Sequence, residues 1–388
     1  MKKKIKIAFA ITTRGNYAKF KNLIIKLKKE RKFHIVIITG GMAILEKYGK
    51  ISAHQNNNLI GNEKNVEVNF VVEGENLLSM TKTAGLACLE YGIQLSSIKP
   101  HLLFVVGDRF ETLPICMAAS YQNIPVAHLE GGEASGSIDD KIRYAITKLA
   151  DFHFVCSKEA AVRLKKIGEN KKRIFLVGST SFDVLQEYKN SSLNNFLEFQ
   201  KKFGTGDILN LQKNNFFLVI YHPVTTEYFK NYENTKKIIK SILRFDKNII
   251  WIMPNMDAGS DGVSKAIREM KEDVRSKNIH FFKSLSIEYL SPLLKNCSCI
   301  IGNSSTGIRE SSFLGIPSVN IGNRQRGRQQ GKNVINVDYS ETKIFNAIKI
   351  QMNKKFKSSK LYGDGKACVK IRNIINKIDI NLKKGNSF

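Results

Sequence analysis

Carboxylates gather at the ends of two apolar runs in the first half of the chain. The run Leu102–Val106 stops at Gly107-Asp108-Arg109-Phe110, and the run 124–129 stops at Glu130-Gly131-Gly132-Glu133. The loop 134–138 then leads to Asp139, Asp140 and a helical pattern that carries Arg143. So many acids on one rim of a water-limited cleft would repel one another and raise some of their pKa values, which suits acid–base chemistry near neutrality. The plainer explanation is strand-end solvation, with Asp139 or Asp140 capping the following helix. It accounts for any one of these acids better than for the whole set.

Elements must hold these acids in place. Both runs are short, rich in β-branched residues and bounded by Gly and acid, so they read as strands buried on both faces. Such strands belong to parallel sheets, which bind ligands at the carboxyl ends of their strands. Strands are predicted at 5–11, 33–39, 66–72, 102–106, 155–156 and 174–177, with helices after the first loop and at 77–95. The pattern loosens over 178–214, where a helix at 193–203 is expected to break at Gly204-Thr205-Gly206. Strand–helix alternation then restarts, with strands at 216–221, 249–253, 279–282, 299–301, 319–321 and 334–337. The polar stretch 54–65 reads as an exposed loop. This is an α/β chain of two Rossmann-like domains, 1–180 and 181–365. A last helix within 366–388 is expected to pack back on the first domain.

The second half has its own strand-end groups. Gly302-Asn303-Ser304-Ser305-Thr306-Gly307-Ile308-Arg309-Glu310 is a turn whose free N–H groups fit phosphate, or an ordinary helix start. Glu310, one turn on, could accept hydrogen bonds from a ribose diol. Arg324, Arg326 and Arg328, interleaved with Gly327, suit a diphosphate, because guanidinium forks bind phosphate bidentately. His222 ends a strand facing the cleft, an address for phosphate binding or proton transfer. The loop after 253, with Asn255, lines the same cleft.

Bulk composition narrows the classes. A length of 388 residues suggests about two domains. No window approaches 18 uncharged apolar residues, so no membrane span is expected. The start, with Lys6 inside a short apolar part and no small-residue cleavage site, reads as a first strand rather than a leader. Six cysteines without zinc spacing read as reduced core residues of a cytoplasmic protein, with Cys297-Ser298-Cys299 along a strand. The net charge of +28 could mean a nucleic-acid partner. However, the lysines are spread out, many on presumed outer helix faces (Lys19, Lys21, Lys26, Lys28, Lys29; Lys236, Lys237, Lys240), and no nucleic-acid motif is present. Neither nucleic acid nor membrane is expected as a partner.

Taken together, these motifs resemble the hydrolysing UDP-N-acetylglucosamine 2-epimerases of sialic acid synthesis. They also resemble the relatives that act on diacetylbacillosamine nucleotides in legionaminic acid synthesis. The matches are 107–110, 128–140 with Arg143 and 146–149, 222–225, 254–260, 302–310, 320–322 with Arg324, Gln325, Gly327 and Arg328, and 362–367. The resemblance implies a glycosyltransferase-B type fold with the substrate in the cleft between domains. It implies elimination of UDP to a glycal, then water addition with inversion at C2. Asp108, Glu130 and Asp139 fall on the family's catalytic acids and His222 on its cleft histidine. Arg14, Ser304, Ser305, Glu310 and Arg324 fall on substrate-binding positions. We add Arg109, Glu133, Arg143, Asn255, Gly307 and Arg328 to the expected substrate contacts.

The chemistry suits those residues. The C2 proton is weakly acidic, so a positioned carboxylate base and a stabilised diphosphate leaving group are both needed. No metal or other cofactor is required. Which carboxylate is the base stays open, as does UDP against GDP. Three departures bear on the sugar: Asn16 replaces the usual acid of the first loop, and Val106 and Tyr144 stand where many members have His. A glycosyltransferase of the same fold is the alternative class, and the acid cluster argues against it. A homo-oligomer, dimer or tetramer, is expected.

Overall fold

The computed structural model describes residues 4–48, 50–51, 64–74, 76–136, 138–188, 190–193 and 196–380. Most of the stretch expected as a loop, positions 54–63, lies outside the described residues. Two parallel sheets dominate. The first contains β1 (Ile5–Ile11), β2 (Phe33–Gly40), β3 (Lys64–Val68), β4 (Leu102–Val106), β5 (Val126–Leu129), β6 (Phe152–Val155) and β7 (Ile174–Leu176). Its order is β3-β2-β1-β4-β5-β6-β7. The second contains β8 (Gly204–Gly206), β9 (Phe216–Ile220), β10 (Asn248–Ile252), β11 (Ile279–Phe282), β12 (Cys299–Gly302), β13 (Ser318–Ile321) and β14 (Val334–Val337). Read from the other edge, its order is β8-β11-β10-β9-β12-β13-β14. Both sheets therefore share one doubly wound order and differ in the added edge strand. In each, the chain reverses direction beside its first strand, between β1 and β4 and between β9 and β12, which opens a ligand crevice at their carboxyl ends.

Alternate residues of each strand serve opposite helix layers, as a pleated strand requires. Ile7, Phe9 and Ile11 face α1 (Arg14–Lys28), with Phe9 stacked on Phe104 at 4.9 Å and edge-on to Phe20 at 5.1 Å. Ala8 and Ala10 face the layer of α2 (Leu77–Ile98), α3 (Thr112–Tyr121) and α4 (Asp139–Leu149). α5 (Lys158–Lys166) covers the β6–β7 edge. In the second sheet, α6 (Thr180–Glu187), α7 (Phe196–Phe203) and α10 (Ile287–Asn296) line one face. α8 (Asn231–Ile242), α9 (Ser260–Lys271) and α12 (Glu341–Gln351) line the other. The short α11 (Arg309–Leu314) follows β12.

α13 (Ala367–Ile375) returns to the first core, where Cys368, Ile371 and Ile375 join the layer of α1. Its first turn is fixed by Asp183 of α6, whose carboxylate accepts from the N–H groups of Ala367 (2.8 Å) and Cys368 (2.9 Å). α6 touches both domains: Phe182 and Leu185 enter the second core, and the helix also packs against α1 and α13.

Several expectations need correction. Gly204-Thr205-Gly206 is no mere break; it forms β8, antiparallel to β11, because side chains this small fit beside His280. The third strand ends at Val68, not 72, and Leu193 lies outside α7, which is described from Phe196. Cys297 caps the carboxyl end of α10, and only Cys299 enters the strand. Lys19 and Lys21 do not lie on an outer face. α1 is sandwiched between its sheet and neighbouring elements, so these side chains are 18% and 7% exposed and pair with Glu130 and Glu288. No helix among the described residues is long and apolar enough to cross a membrane.

Candidate active site between the two domains

The carboxyl ends of both sheets point into the space between the domains, and the domains meet there. The N–H of Gly136 donates to the carbonyl of Arg324 (3.3 Å), and a Cβ at Gly136 would collide with the Asn323 carbonyl. This backbone approach is why the loop after β5 carries glycine there. Gly302 plays a similar part inside the second domain. Its φ of 137° turns the end of β12, and a side chain would strike the carbonyl of Ile220.

Acids and cations of both domains form two linked clusters. In the first cluster, Asp108 and Asp140 are joined by Arg143, which is 1% exposed. Arg143 donates to Asp108, to Asp140 Oδ1 (2.6 Å), to the Glu133 carbonyl (2.8 Å) and to Ser135 Oγ (3.3 Å). Arg109 donates to Glu111 and reaches Asp257 across the cleft at 3.2 Å. Burial alone would lower the Arg109 pKa, but Glu111 and Asp257 more than offset it, so the guanidinium stays charged. Asp139 lies 3.9 Å from Arg324. His222 sits beside Arg324, Asp257 and Arg109. Burial and Arg324 push its pKa down to about 3, leaving a neutral imidazole at neutral pH.

The second cluster lies deeper. Glu130 accepts from Lys19 at 2.6 Å and pairs with Arg309 at 2.9 Å. Glu133 is held by Arg309 (3.4 Å) and Arg328 (3.2 Å). Glu130 has a φ of 66°, the left-handed region that costs a non-glycine residue about 1–3 kcal/mol, so the surroundings must enforce it. The expected upward pKa shift from crowded acids is reversed at Glu130. Burial raises the value, but Arg309 and Lys19 outweigh it and bring it down to about 2. Asp140 does shift upward, chiefly through burial. Neither Asp139 nor Asp140 caps α4: the cap position is Ile138, and Asp140 instead accepts from the N–H of Ser135 (2.7 Å).

Remaining candidates surround these clusters. Ser304 caps the turn Ser305–Gly307, and Glu310 is buried with Oε2 unbonded among the described residues. Asn255 donates to Asp257 (2.6 Å). Arg14 opens α1 and donates to the Lys50 carbonyl (2.9 Å), and burial brings its pKa down to about 10. It lines a cavity, partly open to solvent, bounded by Tyr17 and Lys21 on one side and Leu285 and Glu288 on the other. Asn16 points away from this space; its side chain accepts from the N–H (3.3 Å) and hydroxyl (2.8 Å) of Thr12. The loss of the usual acid there is thus absorbed by local structure.

Sequence reasoning passed over Lys19, Glu111, Arg309 and Asn303. Asn303 clamps His222 through two hydrogen bonds of 2.8 Å, one to its N–H and one to its carbonyl. For Arg309 the only sequence signal was its place between the turn and Glu310.

A family model described as UDP-N-acetylglucosamine 2-epimerase matches residues 25–376. The chain belongs to that family. It is 30% identical over 342 residues to the UDP-N-acetylglucosamine 2-epimerase of Neisseria meningitidis serogroup B, covering 87% of this chain and 84% of the relative. It is also 30% identical over 389 residues to the hydrolysing UDP-N,N'-diacetylbacillosamine 2-epimerase of Legionella pneumophila, covering 99% of each. Among solved structures, the N. meningitidis UDP-GlcNAc 2-epimerase bound to UDP-GlcNAc superposes with a TM-score of 0.77 over 96% of this chain and 100% of its own, at 17% identity. The Methanocaldococcus jannaschii UDP-GlcNAc 2-epimerase superposes with a TM-score of 0.75, at 21% identity, over 96% of this chain and 99% of its own. Likeness at that identity speaks to the fold alone.

Proposed function

We propose that this family member is a hydrolysing nucleotide-sugar 2-epimerase that converts UDP-N-acetylglucosamine and water to N-acetylmannosamine and UDP. The observation that carries this reading is the meeting of Glu130, Glu133 and Asp139 with Arg309, Arg328 and Arg324 across one cleft, with His222 beside Arg324. In that arrangement a carboxylate takes the C2 proton, the C1–oxygen bond breaks, and its electron pair leaves with UDP. Arginines and the 304–307 turn stabilise the diphosphate as its charge grows. Water then adds across the glycal double bond, with the new C2 proton arriving on the opposite face. Glu310 Oε2, unbonded among the described residues, is available to a ribose hydroxyl.

The full-length match to the diacetylbacillosamine relative favours one second reading, the same reaction on that sugar nucleotide. Proton NMR of the products from both nucleotides tests the assignment. Free N-acetylmannosamine with UDP supports the first reading, a free 2-epimer only from the diacetamido substrate supports the second, and an epimer still linked to nucleotide ends the hydrolytic assignment. Asp139→Asn should lower the rate by more than about tenfold, the equivalent of 1.4 kcal/mol of barrier, and a smaller loss removes Asp139 from the catalytic set.

We also propose that two copies of the chain associate along α2. Its outer face exposes Leu78, Gly85, Leu86, Leu89 and Ile93, with Tyr121 of α3 alongside. The helix carries one lysine, Lys82, and one acid, Glu90, on a chain with 62 basic residues. Two such chains repel elsewhere, so this neutral apolar face is where they can meet. Antiparallel packing about Leu86 places Lys82 of each copy opposite Glu90 of the other, as a self-complementary interface requires. Gly85 has nothing near its Cβ position, which leaves room for a close helix approach. Light scattering should give a dimer mass for the protein and a monomer for Leu89→Glu/Ile93→Glu. A monomeric parent protein ends the idea.

A further inference from the structure

We propose that Arg309 ties closure of the two domains to the placement of Glu130, so that Glu130 acts only in the closed form. The inference rests on the reading of Glu130 as catalytic. Arg309 belongs to the second domain and opens α11, directly after the 304–307 turn. Its side chain is 2% exposed, yet its carboxylate partners across the gap, Glu130 (2.9 Å) and Glu133 (3.4 Å), belong to the loop after β5 of the first domain. Within its own domain the nearest acid is Glu310, at 3.9 Å. Separation of the domains would strip Arg309 of its two better partners and leave Glu130 with Lys19 alone.

The geometry at Glu130 shows what closure accomplishes. Oε2 is pinned by Lys19 and Arg309, while the buried Oε1 has no hydrogen-bond partner among the described residues. One oxygen thus fixes the carboxylate and the other keeps its lone pairs for a reacting group. The charged and titratable groups around Glu130 are Lys19 from α1, Arg309 from α11, His128 and Glu133 from its own strand and loop, and Cys156 after β6. Because Arg309 is two residues past the turn, a diphosphate seated on that turn bears on the same short segment. A ligand that prefers the closed arrangement would therefore also favour the aligned Glu130.

The test compares Arg309→Gln, Arg309→Lys, Glu130→Gln and the Arg309→Gln/Glu130→Gln pair. Arg309→Gln should lower kcat by about 100-fold with KM within about threefold. Arg309→Lys should recover at least about tenfold of that loss. The acid limb of the Arg309→Gln kcat profile should move to higher pH, because Glu130 has lost a cation. The double variant should be no slower than Glu130→Gln, since the two residues act as one unit. Losses that multiply, or a change confined to KM, overturn the proposal. X-ray scattering provides a readout independent of turnover: Arg309→Gln should be more extended than the parent protein. If neither nucleotide sugar is turned over, the functional reading fails, while scattering still decides the closure link; identical profiles refute it.

Discussion

Glu130→Gln is expected to lower the release of free sugar by about 10²–10⁴-fold, the usual contribution of a positioned acid–base group. Glutamine keeps the shape of the side chain and removes the charge. With its pKa brought down to about 2 by Arg309 and Lys19 against the opposing effect of burial, Glu130 is ionised at any working pH. The loss should therefore be nearly the same from pH 6 to pH 8. The substitution also leaves an acid-stability signature. A carboxylate whose folded pKa lies below its ordinary 4.5 contributes stability above that value, and the contribution fades as pH falls toward about 2. The parent-minus-variant difference in unfolding free energy should accordingly shrink across pH 4.5 to 2. His222, whose folded value of about 3 lies below 6.5, loses its own contribution as pH falls through that interval in both proteins and cancels in the difference. Single-turnover assays and denaturant unfolding measure the two effects. A rate within about threefold of the parent protein would remove Glu130 from the reaction, since loss of a working acid–base group costs far more.

The second large effect is structural. Arg143→Met should destabilise the first domain by about 1–3 kcal/mol, the cost of leaving hydrogen-bonding groups without their partner where the carboxylates of Asp108 and Asp140 are 24% and 28% exposed. Burial and the neighbouring Arg328 pull the Arg143 pKa down, and contact with Asp108 and Asp140 acts the other way. Methionine fills much of the space but supplies no donor, so four acceptors lose a hydrogen bond together. Asp108 and Asp140 would then repel with no cation between them, and the loop after β5 would lose its attachment to the Glu133 carbonyl. Activity should fall with stability, because that loop carries the acids. Chemical unfolding followed by two probes would register it, and Trp251, buried in the second core, reports the other domain separately. A loss below about 1 kcal/mol would mean that the carboxylates rehydrate freely and that Arg143 is not their anchor.

The candidate site was partly legible from residue types alone. Short β-branched runs ending in Gly and acid read as strands, so the placement of Asp108, Glu130 and His222 at strand ends was legible without knowledge of the fold. Lys19 was misread for a definite reason. Its spacing, one turn before Leu23, places it at the edge of the apolar stripe of α1, and periodicity cannot reveal that a strand-end loop crosses that edge. Arg309 was missed because its partners are 179 and 176 residues away in sequence. The edge strand β8 was read as a break, since Gly-Thr-Gly has no strand propensity and pairs only because β11 offers an unpaired edge.

Sequence by itself determined the two doubly wound sheets and the rim on which the acids stand, because hydrophobic period and strand-end residue types are local properties, and its ordered motifs carried the family resemblance. Only the tertiary structure decided which charges neutralise which. Glu130 is acidified rather than made basic, Asp140 braces a loop rather than capping a helix, and Arg309 reaches across the domains. Electrostatic outcome depends on distance and burial, and neither is written in the order of residues.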